Sequence, residues 1–304
     1  MASTKVFVTD TLPDEARRVL SGFEVFENDV SEGAISEYQA LVCWPSRVKR
    51  ELLQKMTGLR MVQTISAGVD ALDFRSLPVG AQVFSNAGAF TDTVAEHAWG
   101  LLLGVAKGVH QRNADAKPRA LKGRVLLVIG AGNIGSEVAR LSKSLGMKTI
   151  GVSRSFRFPE FFDEMHPLSA LGQDMAAADA VVIALPLTKA TRGIIDYQHL
   201  SRAKDQVVVA NVGRGETVSE KGLVRWLRER PESRFATDVF WKSRGKEVFT
   251  TQAWELKNFA GTLHTSATPI GQDLVGPKVA AATNVRRFFE TGSALNRVKI
   301  DEYL

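Results

Sequence analysis

Short apolar runs alternate along the whole chain with stretches whose apolar residues recur every third or fourth position. Lys5-Val6-Phe7-Val8-Thr9 reads as a strand, and Pro13 to Leu20 as a short helix with proline in its first turn. Ala40 to Trp44 is a second strand, stopped by Pro45, and Arg60 to Ile65 is a third. A long apolar helix runs from Asp92 to His110, and the polar stretch from Arg112 to Lys122, with Pro118, reads as a linker. Arg124 to Ile129 is a buried strand, Ile134 to Leu145 a helix and Lys148 to Val152 a strand, which together make a βαβ unit. Further strands fall at Ala180 to Leu185, Gln206 to Asn211, Phe235 to Asp238 and Phe259 to Leu263, before an amphipathic helix from Lys278 to Glu290. Strands separated by helices predict parallel sheets and an α/β fold class.

Length and composition narrow this picture. At 304 residues the chain exceeds one ordinary core and fits two domains. Its 44% hydrophobic and 24% charged content is that of a globular protein, and no apolar run approaches the ~20 residues of a membrane span. The first residues enter a strand directly, so no signal peptide is expected. Cys43 is the only cysteine, which excludes an internal disulfide and fits a reducing, cytoplasmic setting, with the thiol buried. The net charge of +6 is scattered rather than blocked, so neither nucleic acid nor membrane is an expected partner. A basic surface suits a polyanionic cofactor and an anionic substrate instead.

The candidate chemistry starts at Gly130-Ala131-Gly132-Asn133-Ile134-Gly135. This G-x-G-x-x-G follows an apolar strand and opens a helix, the context that a dinucleotide fingerprint requires. Gly130 would allow the tight turn, Gly132 the approach of the pyrophosphate, and Gly135 the packing of helix on strand. The second strand of the unit ends in Val152-Ser153-Arg154-Ser155, without the acid that usually binds the ribose hydroxyls of NAD. Arg154 can pair with a 2′-phosphate, and Ser153 and Ser155 can add hydrogen bonds. NADP is therefore expected over NAD, with Arg157 as a possible helper; no metal is expected.

Several further segments carry a family resemblance. They are Ser66-Ala67-Gly68-Val69-Asp70, Thr93-Val94-Ala95-Glu96-His97-Ala98, the glycine loop, Leu185-Pro186-Leu187-Thr188 with Thr191-Arg192-Gly193, Asn211-Val212-Gly213-Arg214-Gly215, Asp238-Val239-Phe240, and Trp254 to Asn258 leading to His264. In this order the chain resembles the D-isomer-specific 2-hydroxyacid dehydrogenases, a family that includes glyoxylate/hydroxypyruvate reductases and phosphoglycerate dehydrogenases. The resemblance implies two doubly wound parallel-sheet domains, Rossmann- and flavodoxin-like, with the site in the cleft between them. Residues 1–91 and 266–304 would form a discontinuous substrate domain, and residues 92–265 the dinucleotide-binding domain. Closure about the two crossovers would exclude water.

The resemblance also implies roles. Arg214 would bind and polarise a small 2-oxo acid, and His264 would exchange a proton with the 2-oxo oxygen. Backbone N–H groups of Ala67, Gly68 and Val69 would hold the substrate carboxylate. Asp238 would anchor the nicotinamide carboxamide, and Leu185, Pro186 and Val212 would line the cofactor channel. Trp44 is a candidate cap on the substrate pocket or a core residue, and His97 is expected to serve structure between the domains. The helix from Asp92 would make a homodimer contact.

One departure stands out. The family places a glutamate against the catalytic histidine, and in the frame of Asp238-Val239-Phe240 that position is Ser243. A serine can orient the ring but cannot stabilise imidazolium by charge, so reduction is expected to fade at lower pH than in relatives. Glu247 could substitute if the loop is rearranged. The missing glutamate also leaves room for a nucleotide-sensing, corepressor-like regulator of the same fold.

Overall fold

The structure is a computed structural model that describes residues 3–28, 32–111, 117–268 and 274–304. The chain divides into two compact units, one of residues 1–90 with 270–304 and one of residues 91–269.

The first unit holds strands β1 (Lys5–Val8), β2 (Glu24–Glu27), β3 (Ala40–Cys43), β4 (Met61–Thr64) and β5 (Gln82–Phe84). Helices α1 (Asp14–Val19) and α2 (Arg50–Lys55) lie between them in the chain, and the final helix, α8 (Val275–Thr291), returns to this unit. The five strands pair in parallel in the order β2-β1-β3-β4-β5, the flavodoxin-like arrangement. Successive side chains of a strand point to opposite faces, so the unit has two cores. Val6, Val8, Val42 and Phe84 pack with Phe288 of α8 on one face, and Phe7, Leu41, Cys43 and Val62 pack with Tyr38 on the other. Cys43 is fully buried, and that burial pushes its thiol well above the usual range. Trp44 packs partly buried against the first core and donates its indole N–H to Asp10 Oδ2 at 2.7 Å.

The second unit opens with α3 (Thr91–Lys107). This helix stops short of His110 because Gly108 turns left-handed, at φ +71°, and Val109 N–H bonds back to Gly104 O at 2.9 Å. Of the expected linker, residues 112–116 lie outside the described residues, and residues 117–121 are neither helix nor strand. Strands β6 (Val125–Ile129), β7 (Lys148–Val152) and β8 (Glu164–His166) follow, with α4 (Asn133–Ser144) between the first two. Next come α5 (Leu171–Ala177), β9 (Ala180–Ile183), α6 (Tyr197–Arg202), β10 (Val208–Asn211), α7 (Glu220–Glu229) and β11 (Arg234–Thr237). The hairpin β12 (Lys242–Ser243) and β13 (Lys246–Glu247) precedes β14 (Phe259–Gly261).

Seven of these strands pair in parallel in the order β14-β11-β10-β9-β6-β7-β8. Such a sheet is covered on both faces, which is why β9, β10 and β11 are buried at every position. Strand order reverses between β6 and β9, and the crevice at that switch point is where ligands bind in folds of this kind. Among the described residues no helix is long and apolar enough to cross a membrane.

Candidate active site

The glycine loop leaves β6 at the switch point. Gly130 sits at φ +100°, and a Cβ there would lie 2.8 Å from Ala184 O, just after β9. A Cβ on Gly135 would lie 1.9 Å from Gly130 O, so α4 can pack this close to the loop only without a side chain. Gly132 differs: a Cβ there would meet nothing within 4 Å. Its glycine serves no internal packing and leaves an open cradle at the N-terminus of α4. The first-turn N–H groups at Asn133, Ile134 and Gly135 face out of the helix end, where the dipole favours an anion. These residues fit a dinucleotide pyrophosphate.

Around this loop the other cofactor candidates are drawn together. A Cβ on Gly213 would lie 2.5 Å from Leu185 O, so the turns after β9 and β10 touch. Leu185 and Val212 are buried there and Pro186 is exposed. At the end of β7, Ser153 is half-buried and donates its N–H to His166 O, while Arg154 and Ser155 are exposed. The exposed Arg157 donates its backbone N–H to Ala131 O at 2.9 Å, folding this segment back onto the glycine loop.

Arg214 follows β10 and is half-buried, with Nη1 donating to Gly213 O at 2.7 Å. The next residue must be glycine, because a Cβ on Gly215 would lie 2.2 Å from the carbonyl carbon of Phe240. That contact sets the Arg214 turn against the segment leaving β11. In this segment Asp238 is fully buried. Its Oδ1 accepts from Thr262 Oγ1 at 2.6 Å and Thr265 N at 2.9 Å, and its Oδ2 accepts from Ser266 N at 3.1 Å. Burial alone would push this carboxyl up, but the hydrogen bonds from Ser266, Thr262 and the N–H of Thr265 outweigh it and hold it below the usual range.

The loop that Asp238 holds carries His264. Its N–H donates to Asp238 O at 2.8 Å, and its backbone is left-handed at φ +53°, a conformation costing about 1–2 kcal/mol outside glycine. His264 Nδ1 lies 2.5 Å from Glu247 Oε2. Glu247 is fixed in turn, since its Oε1 accepts the Phe240 N–H at 2.6 Å. The carboxylate therefore comes from β13, not from Ser243, which is exposed on β12. Arg244 and Gly245 form the two-residue turn between them, at φ +51° and +79°, as a type I′ turn requires. This hairpin displaces the glutamate four positions along the chain, so the expectation of weakened acid–base chemistry loses its premise.

Ala67, Gly68 and Val69 follow β4 in the first unit. Ser66 Oγ donates to Gly68 O at 2.7 Å, and Thr64 Oγ1 to Ser66 O at 2.6 Å, so this turn is tied to itself. His97, expected to serve structure between the domains, lies within the second unit, with Nε2 2.7 Å from Thr262 Oγ1. Thr262 has no sequence signal as a site residue, because only its three-dimensional position beside Asp238 distinguishes it.

A doubly wound sheet with a glycine loop at its switch point defines a dinucleotide-binding fold. Comparison with known proteins narrows the class. Residues 82–266 match the model of the D-isomer specific 2-hydroxyacid dehydrogenase, NAD binding domain. The chain is 28% identical to the hydroxypyruvate reductase of Thermotoga maritima over 287 residues, covering 88% of this chain and 93% of that protein. It is 27% identical to the glyoxylate reductase of Thermococcus kodakarensis, covering 88% of each. The structure of a D-isomer specific 2-hydroxyacid dehydrogenase family protein from Aeromonas salmonicida superposes with a TM-score of 0.81 at 28% identity, over 99% of this chain and 100% of that one. The chain belongs to the D-isomer specific 2-hydroxyacid dehydrogenase family, whose redox chemistry uses NAD or NADP.

Proposed function

We propose that this protein reduces a small 2-oxo acid to the D-2-hydroxy acid, and runs the reverse oxidation, with NADP(H) preferred. When bound, the nicotinamide would supply hydride to C2 of the oxo acid, or accept it from C2 of the hydroxy acid. Backbone N–H groups of Ala67, Gly68 and Val69 hold the carboxylate. Arg214 forks onto the carboxylate and the 2-oxo oxygen and polarises the carbonyl. His264 gives the proton to that oxygen in reduction and takes it back in oxidation. Asp238, besides holding the His264 loop, is the proposed anchor of the carboxamide, and Leu185, Pro186 and Val212 line the cofactor channel. Relatives named as hydroxypyruvate and glyoxylate reductases point to acids of that size.

The observation that carries this reading is the His264–Glu247 pair. A carboxylate only accepts, so Nδ1 carries a hydrogen and Nε2 is left as the atom that exchanges a proton with substrate. The cofactor preference is carried by Arg154, exposed at the end of β7 where an acid would select NAD. The test follows NADPH and NADH oxidation side by side with glyoxylate, hydroxypyruvate, pyruvate and bulkier 2-oxo acids. A lower KM for NADPH that disappears in Arg154→Ser supports the assignment; an NADH preference overturns it, and no turnover at all favours the nucleotide-sensing alternative. The reading includes a homodimer formed on α3, where Gly100 and Leu103 are exposed, and light scattering of the purified protein checks it.

A further inference from the structure

The proton donor proposed above does not stand alone on its loop. Thr262 precedes His264, Thr265 and Ser266 follow it, and all three hydrogen-bond to the Asp238 carboxylate. His264 itself is tied to the Asp238 carbonyl. Asp238 thus fixes the backbone on both sides of the left-handed residue. The outermost member of the network is on another element. His97, on α3 and half-buried, places Nε2 2.7 Å from Thr262 Oγ1 and 3.6 Å from Asp238 Oδ1.

The donor sense of this chain follows from chemistry. The Asp238 carboxylate accepts only, so the Thr262 hydroxyl spends its one hydrogen on Oδ1. That hydroxyl must then accept from His97, which requires the tautomer with hydrogen on Nε2. The order is His97 N–H to Thr262 O–H to Asp238. With a donor on one side and a carboxylate on the other, the threonine hydroxyl has one orientation. Without His97 the hydroxyl keeps its bond to Oδ1 but loses the donor that fixes its other side, and one of the clasps on the loop is weakened.

We infer that His97 is a positioning residue that locks the loop carrying His264, acting through Thr262 and Asp238. The inference rests on the acid–base reading of His264. It assigns His97 no contact with substrate or cofactor. Its removal therefore changes chiefly the rate of proton exchange, since Asp238, the proposed carboxamide anchor, is still held by the Thr265 and Ser266 N–H groups.

The experiment compares His97→Leu and Thr262→Val, which break the chain, with His97→Gln and Thr262→Ser, which keep a donor or hydroxyl in place. His264→Asn runs alongside. Rates with glyoxylate and hydroxypyruvate at saturating cofactor give kcat and KM, fluorescence titration gives the cofactor Kd, and melting curves report folding. The expected result is a kcat lowered roughly tenfold or more in the two breaking variants, as for other slight misplacements of a catalytic group. Cofactor Kd changes by no more than a few fold, because Asp238, the proposed carboxamide anchor, keeps its bonds from the Thr265 and Ser266 N–H groups in every variant, and the two conservative variants recover most of kcat. A parent-like kcat in His97→Leu with an inactive His264→Asn overturns the role of His97 alone. Equal losses in His97→Leu and His97→Gln also overturn it, because the donor would then be irrelevant. Full turnover in His264→Asn overturns the acid–base reading and this inference with it. Nitrogen NMR of histidine-labelled parent protein gives a readout that needs neither variant nor activity: hydrogen on His97 Nε2 is expected, and hydrogen on Nδ1 alone overturns the proposal.

Discussion

Replacing Glu247 with glutamine tests the site where structure and sequence diverge most. The carboxylate oxygen lies 2.5 Å from His264 Nδ1, and the other oxygen accepts the Phe240 N–H at 2.6 Å. Glutamine keeps the shape, but with its oxygen accepting the Phe240 N–H it can present only an NH2 to His264, which removes the carboxylate charge and forces the hydrogen off Nδ1. A hydrogen bond to a charged group contributes about 1.5–3 kcal/mol, and every ~1.4 kcal/mol is tenfold in rate. The His264 side chain is 39% exposed and that of Glu247 is 19% exposed, so water screens part of the interaction and the lower end applies. Reduction of hydroxypyruvate by Glu247→Gln should therefore fall roughly tenfold in kcat, with cofactor KM unchanged. Ser243→Ala is the control, and its rate should stay within about twofold of the parent because that side chain is exposed on the opposite strand of the hairpin. Initial rates of NADPH oxidation decide the matter. A Glu247→Gln enzyme at parental rate, or a Ser243→Ala enzyme equally impaired, would refute the assignment of the carboxylate.

The glycine loop offers a paired test: Gly135→Ala should lower the melting temperature and abolish cofactor binding, because its Cβ would lie 1.9 Å from Gly130 O, whereas Gly132→Ala should fold normally and lose only cofactor affinity. Cofactor fluorescence titrations and melting curves separate the two. Arg214→Lys should reduce kcat/KM for the oxo acid roughly tenfold to a hundredfold through loss of the planar fork, with cofactor Kd unchanged in the same titration. Asp238 is held below the usual carboxylate range in the folded protein, so its contribution to stability is complete above the unfolded pKa of about 3.9 and fades as pH falls through the lower folded value. Asp238→Asn should then melt well below the parent at neutral pH, and the gap should close on acidification below about pH 4.

The parallel core was legible because its strands are covered on both faces and read as unbroken apolar runs, as in Val125-Leu126-Leu127-Val128-Ile129. Of the edge strands, only Phe259–Gly261 was. Glu24–Glu27 and Glu164–His166 close one end of each sheet and carry polar, part-exposed residues, so their periodicity is weak. Helix α7 was overlooked although its signals are present: Ser219 caps it by accepting the Gly222 N–H, and its apolar face buries Leu223, Trp226 and Leu227. In the site, glycines with a local steric reason were readable from their spacing. The histidine's partner was not fixed by spacing, because a two-residue turn at Arg244-Gly245 moved the carboxylate along the chain while returning it to the same place. The His97–Thr262 contact spans 165 residues of sequence and has no local signature at all.

The left-handed backbone of His264 governs what can replace it. Asparagine and glycine enter that region readily, whereas a β-branched residue is strained there. A substitution to asparagine would therefore remove the proposed proton donor while leaving the loop, its bonds to Asp238 and the dinucleotide cradle in place. On the proposed roles, a single substitution at this backbone would give a version of the fold that keeps its dinucleotide cradle and loses its proton donor, so that catalysis and binding could be lost separately.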